Sequence, residues 1–159
     1  MVDLKKGEAD LALRGGTIAD PELVARKVGE SPWALYAADA YLARRPVVDP
    51  ADLSGHELIG YDESLASVPA AQWIESRAST ATVVMRSREM TDMHAAVASG
   101  LGLAAIPCSM GDPDPTLHRV SDVLGARDVS LVYRREARLS EPVRIVAQFV
   151  VALMSETRI

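Results

Sequence analysis

The chain holds a single cysteine, Cys108, among its 159 residues, so no disulfide can form within it, as suits a reducing compartment. Aromatic residues are scarce, at 4%, which leaves any core to Val, Leu, Ile, Ala and Met. Lysine is nearly absent: Lys5, Lys6 and Lys27 are the only three among 17 basic residues. The formal net charge is -5, and an acidic chain repels phosphate backbones, so DNA contact by this segment alone is not expected. No apolar run is long enough to span a bilayer, and no apolar stretch follows Met1–Gly7 as it would in a secretory signal. No membrane association is expected, and the cytoplasm is the expected location.

Motifs of catalysis are also missing. The three histidines, His56, His94 and His118, stand in no recognisable motif, and there is no Gly-x-Ser-x-Gly elbow. Cys108 follows Ile106-Pro107 at a strand end, but a lone cysteine there reads as a small inert side chain. Asp92 and His94 are two apart and cannot share a helix face, and Asp112 and Asp114 lack the other ligands of a calcium loop. Both pairs read as solvated polar groups. Gly15-Gly16 and Gly100-Leu101-Gly102 are not followed promptly by a helix, so neither is a phosphate loop. The expectation is no enzyme, no metal and no cofactor.

What is present is an ordinary globular composition, 48% hydrophobic and 25% charged. Val2–Lys6 reads as a helix tail capped by Gly7, so the start looks cut from a longer fold. Strands are expected at Ala9–Leu13, at Leu23–Val28 (broken by Gly29), and at Trp33–Ala37, Glu57–Tyr61, Thr82–Met85, Leu103–Pro107 and Val129–Tyr133, with a brief pairing at Leu117–Val120. Helices are expected at Asp39–Arg44, as a turn at Pro50–Leu53, from a Ser67 cap and Pro69 onward, through Met90, Met93 and Val97 to Gly100, and from Glu141 to Met154. Val143, Val146, Phe149, Val150 and Leu153 give that last helix one apolar face. Helices alternate with strands, so the class is α/β. The doublets Arg44-Arg45 and Arg134-Arg135 read as solvated surface.

In open α/β sheets ligands bind beyond the carboxyl ends of strands. Arg14, Ala37 and Ser87-Arg88 stand at such ends, the last just before a helix whose amides favour an anion. Arg14 and Arg88 together would suit a small organic acid through bidentate hydrogen bonds. The competing reading makes Arg14 a surface arginine and Ser87 a helix cap.

The ordered stretches LKKGEADLALR (4–14), LVARKVGE (23–30), ADAYLARRP (38–46), PADLSGH (50–56), AAVASGLGLAAIP (95–107) and LVYRR (131–135) resemble the effector-binding domain of LysR-type transcriptional regulators over nearly the whole chain. The resemblance implies a two-lobed, periplasmic-binding-protein-like (type II) sensor fold that binds a small effector between its lobes in a homo-oligomer. The first lobe is then incomplete. Residues 1–38 plus 139–159 are its remnant, and 39–138 are the second lobe. Neither a helix-turn-helix nor a linker helix is present, and the effector-binding loop after the family's first strand is missing. The pocket positions implied are Ala37, Ser87, Arg88 and Pro107, with Arg14 at the same rim. The rival expectation is an interaction module that pairs with itself or with full-length regulators and binds no effector.

Overall fold

The computed structural model of the chain describes residues 3–77 and 79–156. Its contacts gather into two compact units, Met1–Ser31 with Arg127–Ile159, and Pro32–Ala126. The sequence reading set the crossings after residues 38 and 138; the contacts set them inside two long strands.

The second unit holds the larger core. Its strands are the C-terminal part of β2 (Leu23–Ala38), β3 (Glu57–Tyr61), β4 (Thr82–Ser87), β5 (Leu103–Pro107) and β6 (Leu117–Arg119), in the order β2-β5-β3-β4 with β6 on β2. β3 runs parallel to β4 and β5, while β2 is antiparallel to β5 and β6. Parallel neighbours need crossover helices, supplied by α2 (Pro69–Glu75) and α3 (Met90–Ala98). The run Leu103-Ala104-Ala105-Ile106 is apolar throughout because β5 is interior, and all four residues are fully buried. At the edge, β4 alternates exposed and half-buried residues. Met93 and Val97 of α3 pack with Leu58, Ile59 and Ile106 in one apolar cluster. Gly100 (φ +76°) ends α3, and a side chain at Gly102 would meet the Glu57 carbonyl oxygen at 2.6 Å, so the return into β5 requires both glycines.

The first unit is built on β1 (Leu11–Gly15), β7 (Gly125–Arg134) and the N-terminal part of β2, in the order β1-β7-β2, with α5 (Glu141–Glu156). β1 and β7 are antiparallel, Leu11 opposite Tyr133 and Gly15 opposite Val129. Among the described residues its apolar cluster has the buried members Leu4, Leu23 and Val132, with Ala9, Ala12 and Ile18 against them.

Several expectations are corrected. β2 is one strand of 16 residues rather than two. Gly29 does not break it; a side chain there would meet the terminal methyl of Met154 at 3.2 Å, so the glycine makes room for α5. Residues 4–7 form a turn, with the Gly7 amide donating to the Leu4 carbonyl at 3.2 Å, not a helix tail; Val2 lies outside the described residues. β1 sits two residues later than expected, set by its register with β7. In place of a helical turn at Pro50–Leu53 there is a turn centred on Pro50 and Ala51, closed by the Asp52 amide donating to the Asp49 carbonyl at 3.1 Å. The cap of α2 is Val68, not Ser67, and makes no side-chain bond. The short α1 (Asp39–Arg44) and β3 fall where the sequence puts them, whereas the four-residue α4 (Cys108–Gly111) has no periodicity to announce it. On α5 the apolar face is only partly covered: Val143 is buried, but Val146 and Phe149 are 45% and 65% exposed.

Some polar groups read as solvated are built in. Arg44 stacks on Tyr41, 4.6 Å from the ring centroid, and donates to the Gly100 carbonyl at 2.6 Å. Asp112 accepts from the Tyr36 hydroxyl at 2.6 Å and from Arg119. Burial pushes the Tyr41 hydroxyl up to about 12, and it donates to Glu57 at 2.9 Å. His56 Nδ1 lies 2.9 Å from the same oxygen, which also accepts from the Glu57 amide at 3.1 Å. With its proton given to Glu57, that oxygen can take one more donor, so a neutral His56 carrying its proton on Nδ1 completes the set.

Candidate functional site

Because β3 is parallel to both β4 and β5, Tyr61, Ser87 and Pro107 all stand at carboxyl ends along one edge of the second unit's sheet. Such an edge is where α/β folds place ligands. Ser87 is half-buried there. Its hydroxyl accepts from the Glu89 amide at 3.1 Å and lies 3.2 Å from the Asp92 carboxylate, one turn into α3. That hydroxyl therefore serves the entrance of its own helix. The Arg88 side chain is 72% exposed and lies 3.4 Å from the Glu89 carboxylate. Pro107 pairs across from Trp33 and opens α4. Ala37 is not at this edge: β2 runs against β5, Tyr36 faces Ala104, and Ala37 is fully buried opposite His118.

Arg14 belongs to the first unit, next to last in β1. It lines a cavity of about 490 Å³ with Leu13, Gly15, Thr17, Ile18, Ala19 and Asp20. Small-molecule pockets run from roughly 300 to 1,000 Å³, so a compact organic molecule fits. The Asp20 carboxyl is held below its ordinary range by the Lys5 ammonium, 2.8 Å away, then by the Glu22 backbone amide and the Arg14 charge. The walls thus offer the Arg14 guanidinium, the Thr17 hydroxyl and apolar surface from Leu13 and Ile18, with the Asp20 carboxylate, drawn to Lys5, opposing an acidic guest.

One group at the second unit's edge escaped the sequence reading. Trp33 is only 6% exposed, and its indole N–H is buried without a hydrogen-bond partner among the described residues. Its ring centroid lies 6.1 Å from that of Tyr61, whose hydroxyl donates to the Ala105 carbonyl. A buried donor left unsatisfied costs about 1–3 kcal/mol, which an acceptor brought by a ligand or water would relieve. The scarcity of tryptophan and its place beside Pro32 were the available signals, but the position reads equally well as plain strand core.

Among the described residues no cluster of three or more His, Cys, Asp or Glu is arranged to hold a metal, and no helix is long and apolar enough to cross a membrane. Cys108 is a free, buried thiol.

Comparison with known proteins adds the lineage. The family model of the LysR substrate binding domain matches residues 1–155. Among solved structures, the regulatory domain of CrgA, a LysR-type transcriptional regulator from Neisseria meningitidis, is 22% identical with a TM-score of 0.76, over 95% of this chain and 78% of that one. The chain covers 54% of the longer CrgA structure. The effector domain of the regulator AmpR of Pseudomonas aeruginosa is 17% identical, TM-score 0.78, over 99% of this chain and 77% of that one. The CcmR regulatory domain of Synechocystis PCC6803, solved in complex with 2-PG, is 15% identical, TM-score 0.71, over 97% and 77%. A search of curated proteins gave no match. At these identities the likeness is one of fold, the periplasmic-binding-protein-like type II fold of such domains.

Proposed function

Since the chain belongs to the LysR substrate-binding domain family, we propose that it works as a ligand sensor whose effector is a small organic acid. The observation that carries this reading is the cavity around Arg14, with its cation, hydroxyl and apolar wall, and with its one carboxylate, Asp20, engaged by Lys5. A guanidinium holds a carboxylate through two parallel hydrogen bonds, which fixes orientation as well as charge. In the second unit Ser87, Arg88 and Pro107 are the proposed contacts for a ligand at the sheet edge, to which Trp33 is added because its N–H has no partner among the described residues, while Ala37, fully buried on β2, is not among them. Neither catalysis nor a cofactor enters the reading. The net charge of -5 supports a segment that does not touch DNA by itself and leaves that task to other parts of a regulator. The cytoplasm is the proposed location.

Titration of the chain with acetate, succinate and benzoate, followed by NMR, is the test. Saturable shifts at Arg14, Thr17 and Asp20, lost in Arg14→Ala, support the reading; no saturable shift there with any of the three sinks it. A second reading, an interaction module that pairs with itself or with full-length regulators, draws on the exposed Ile145, Val146 and Phe149 of α5. Light scattering against concentration separates the two, since self-association insensitive to these acids but abolished by Phe149→Ser favours the second.

A further inference from the structure

At the opposite end of the β1–β7 ladder from Arg14 lies another recess, of about 290 Å³, lined by Lys5, Pro21, Glu22, Arg134, Arg135 and Glu136. The ladder register sets the separation. Arg14 faces Ser130, while Arg134 follows the Leu11–Tyr133 pair four residues away, roughly 13 Å along a strand.

The cations of this recess are unequally committed. Lys5 lies 2.8 Å from both Asp20 and Glu22, and these two carboxylates hold its ammonium well above the ordinary lysine range. Among the described residues the ion-pair partner of Arg134 is the exposed Asp10, at a long 3.7 Å, and its buried Nε meets no acceptor. The Arg135 guanidinium donates to the Pro21 carbonyl at 3.3 Å and meets no carboxylate among the described residues. Its backbone amide is tied to the Glu22 carbonyl at 3.3 Å, so the segment carrying the doublet is held in place. Two adjacent guanidiniums, Arg134 half-buried and Arg135 exposed, line a space the size of a small anion. Glu22 is drawn toward Lys5, which leaves Glu136 as the acid that opposes such a guest.

We propose that this recess is a second ligand site, distinct from the Arg14 cavity, that takes a small oxyanion of the phosphate class on Arg134 and Arg135. Planar guanidinium forks match the paired oxygens of such an anion, and Arg134 and Arg135 stand side by side on the wall of the recess. Glu136 weakens the site and sets a selectivity against larger polyanions, which would meet its carboxylate.

The probe is inorganic phosphate added to the whole chain at constant ionic strength, balanced with sodium chloride and followed by amide NMR shifts. Saturation at about millimolar concentration, centred on residues 5, 22 and 134–136, is expected. R135E weakens binding at least tenfold, R134K (which keeps the charge but loses the fork) weakens it several-fold, and E136Q tightens it. The exposed control R26A leaves the curve unchanged. Should R134K unfold, R135E and E136Q still decide the matter, since both side chains are exposed. The proposal is overturned by shifts that do not saturate, by one common curve for wild type, R135E and E136Q, or by shifts centred on Arg14, Thr17 and Asp20.

Discussion

The two units of the chain solve burial differently. The second packs Leu58, Ile59, Ile74, Met93, Val97 and Ile106 into one contiguous apolar cluster, with polar networks around Tyr36 and Tyr41. The first has a cluster of three buried residues, an apolar helix face left partly exposed, and cavities around Arg14 and Arg134. The lesson is that one chain can hold a well-filled core and a thinner one and leave concave surface beside both, for the second unit also carries a recess of about 330 Å³ lined by Tyr61, Asp62, Ala71 and Arg86.

The contrast breaks most visibly under core truncation. Ile106→Ala should cost about 2–5 kcal/mol, because β5 is enclosed on both faces and cannot collapse around the void. Leu4→Ala in the first unit should fall at or below the low end of that range, since its three-residue cluster can close over the gap. Urea unfolding followed by circular dichroism compares them, and equal losses would mean that the first unit is packed as tightly as the second.

Acid should sharpen the same contrast. Burial, then the Arg45 charge, depresses the His56 pKa below its ordinary 6.5. The unfolded chain therefore binds a proton at His56 more readily than the folded one. Stability contributed by neutral His56 is whole above pH 6.5 and is lost as pH falls below 6.5 toward the depressed folded value. The second unit should thus weaken as pH falls below 6.5, ahead of the carboxylates. His56→Asn should flatten that part of a stability-against-pH curve, and an unchanged slope would remove His56 from the account.

The smallest effect is expected on α5. Phe149 is mostly exposed, so Phe149→Ser should change stability by no more than about 0.5 kcal/mol, whereas Val143→Ala, at a buried position of the same helix, should cost about 1 kcal/mol or more. Thermal melts of both variants decide it. A large loss for Phe149→Ser at high protein concentration alone would show that a second copy covers the face.

How much of this was legible in the sequence depends on where each signal resides. β3, β5 and α1 were readable to the residue because apolar runs and helix stops are local. β2 was not, since Gly29 breaks strands on average and only the approach of Met154 reveals why it is there. Neither was the fate of the α5 stripe: periodicity says that Phe149 is apolar and on one face, not that anything covers it. Of the site, Ser87 was read from its strand end and Pro107 from the family resemblance, and both stand at one sheet edge, but Ala37 falls elsewhere because β2 runs against β5. The partners of Ser87, the orphan N–H of Trp33 and the recess at Arg134 depend on contacts between residues distant in sequence, which periodicity does not record.

The proposed sensing role rests most directly on Arg14. Isothermal titration of the chain with the small carboxylate that shifts the Arg14, Thr17 and Asp20 amides most strongly should give saturable binding. Arg14→Ala should weaken it at least tenfold, about 1.4 kcal/mol, as expected for loss of a bidentate charged pair. Identical isotherms for wild type and Arg14→Ala would contradict the account.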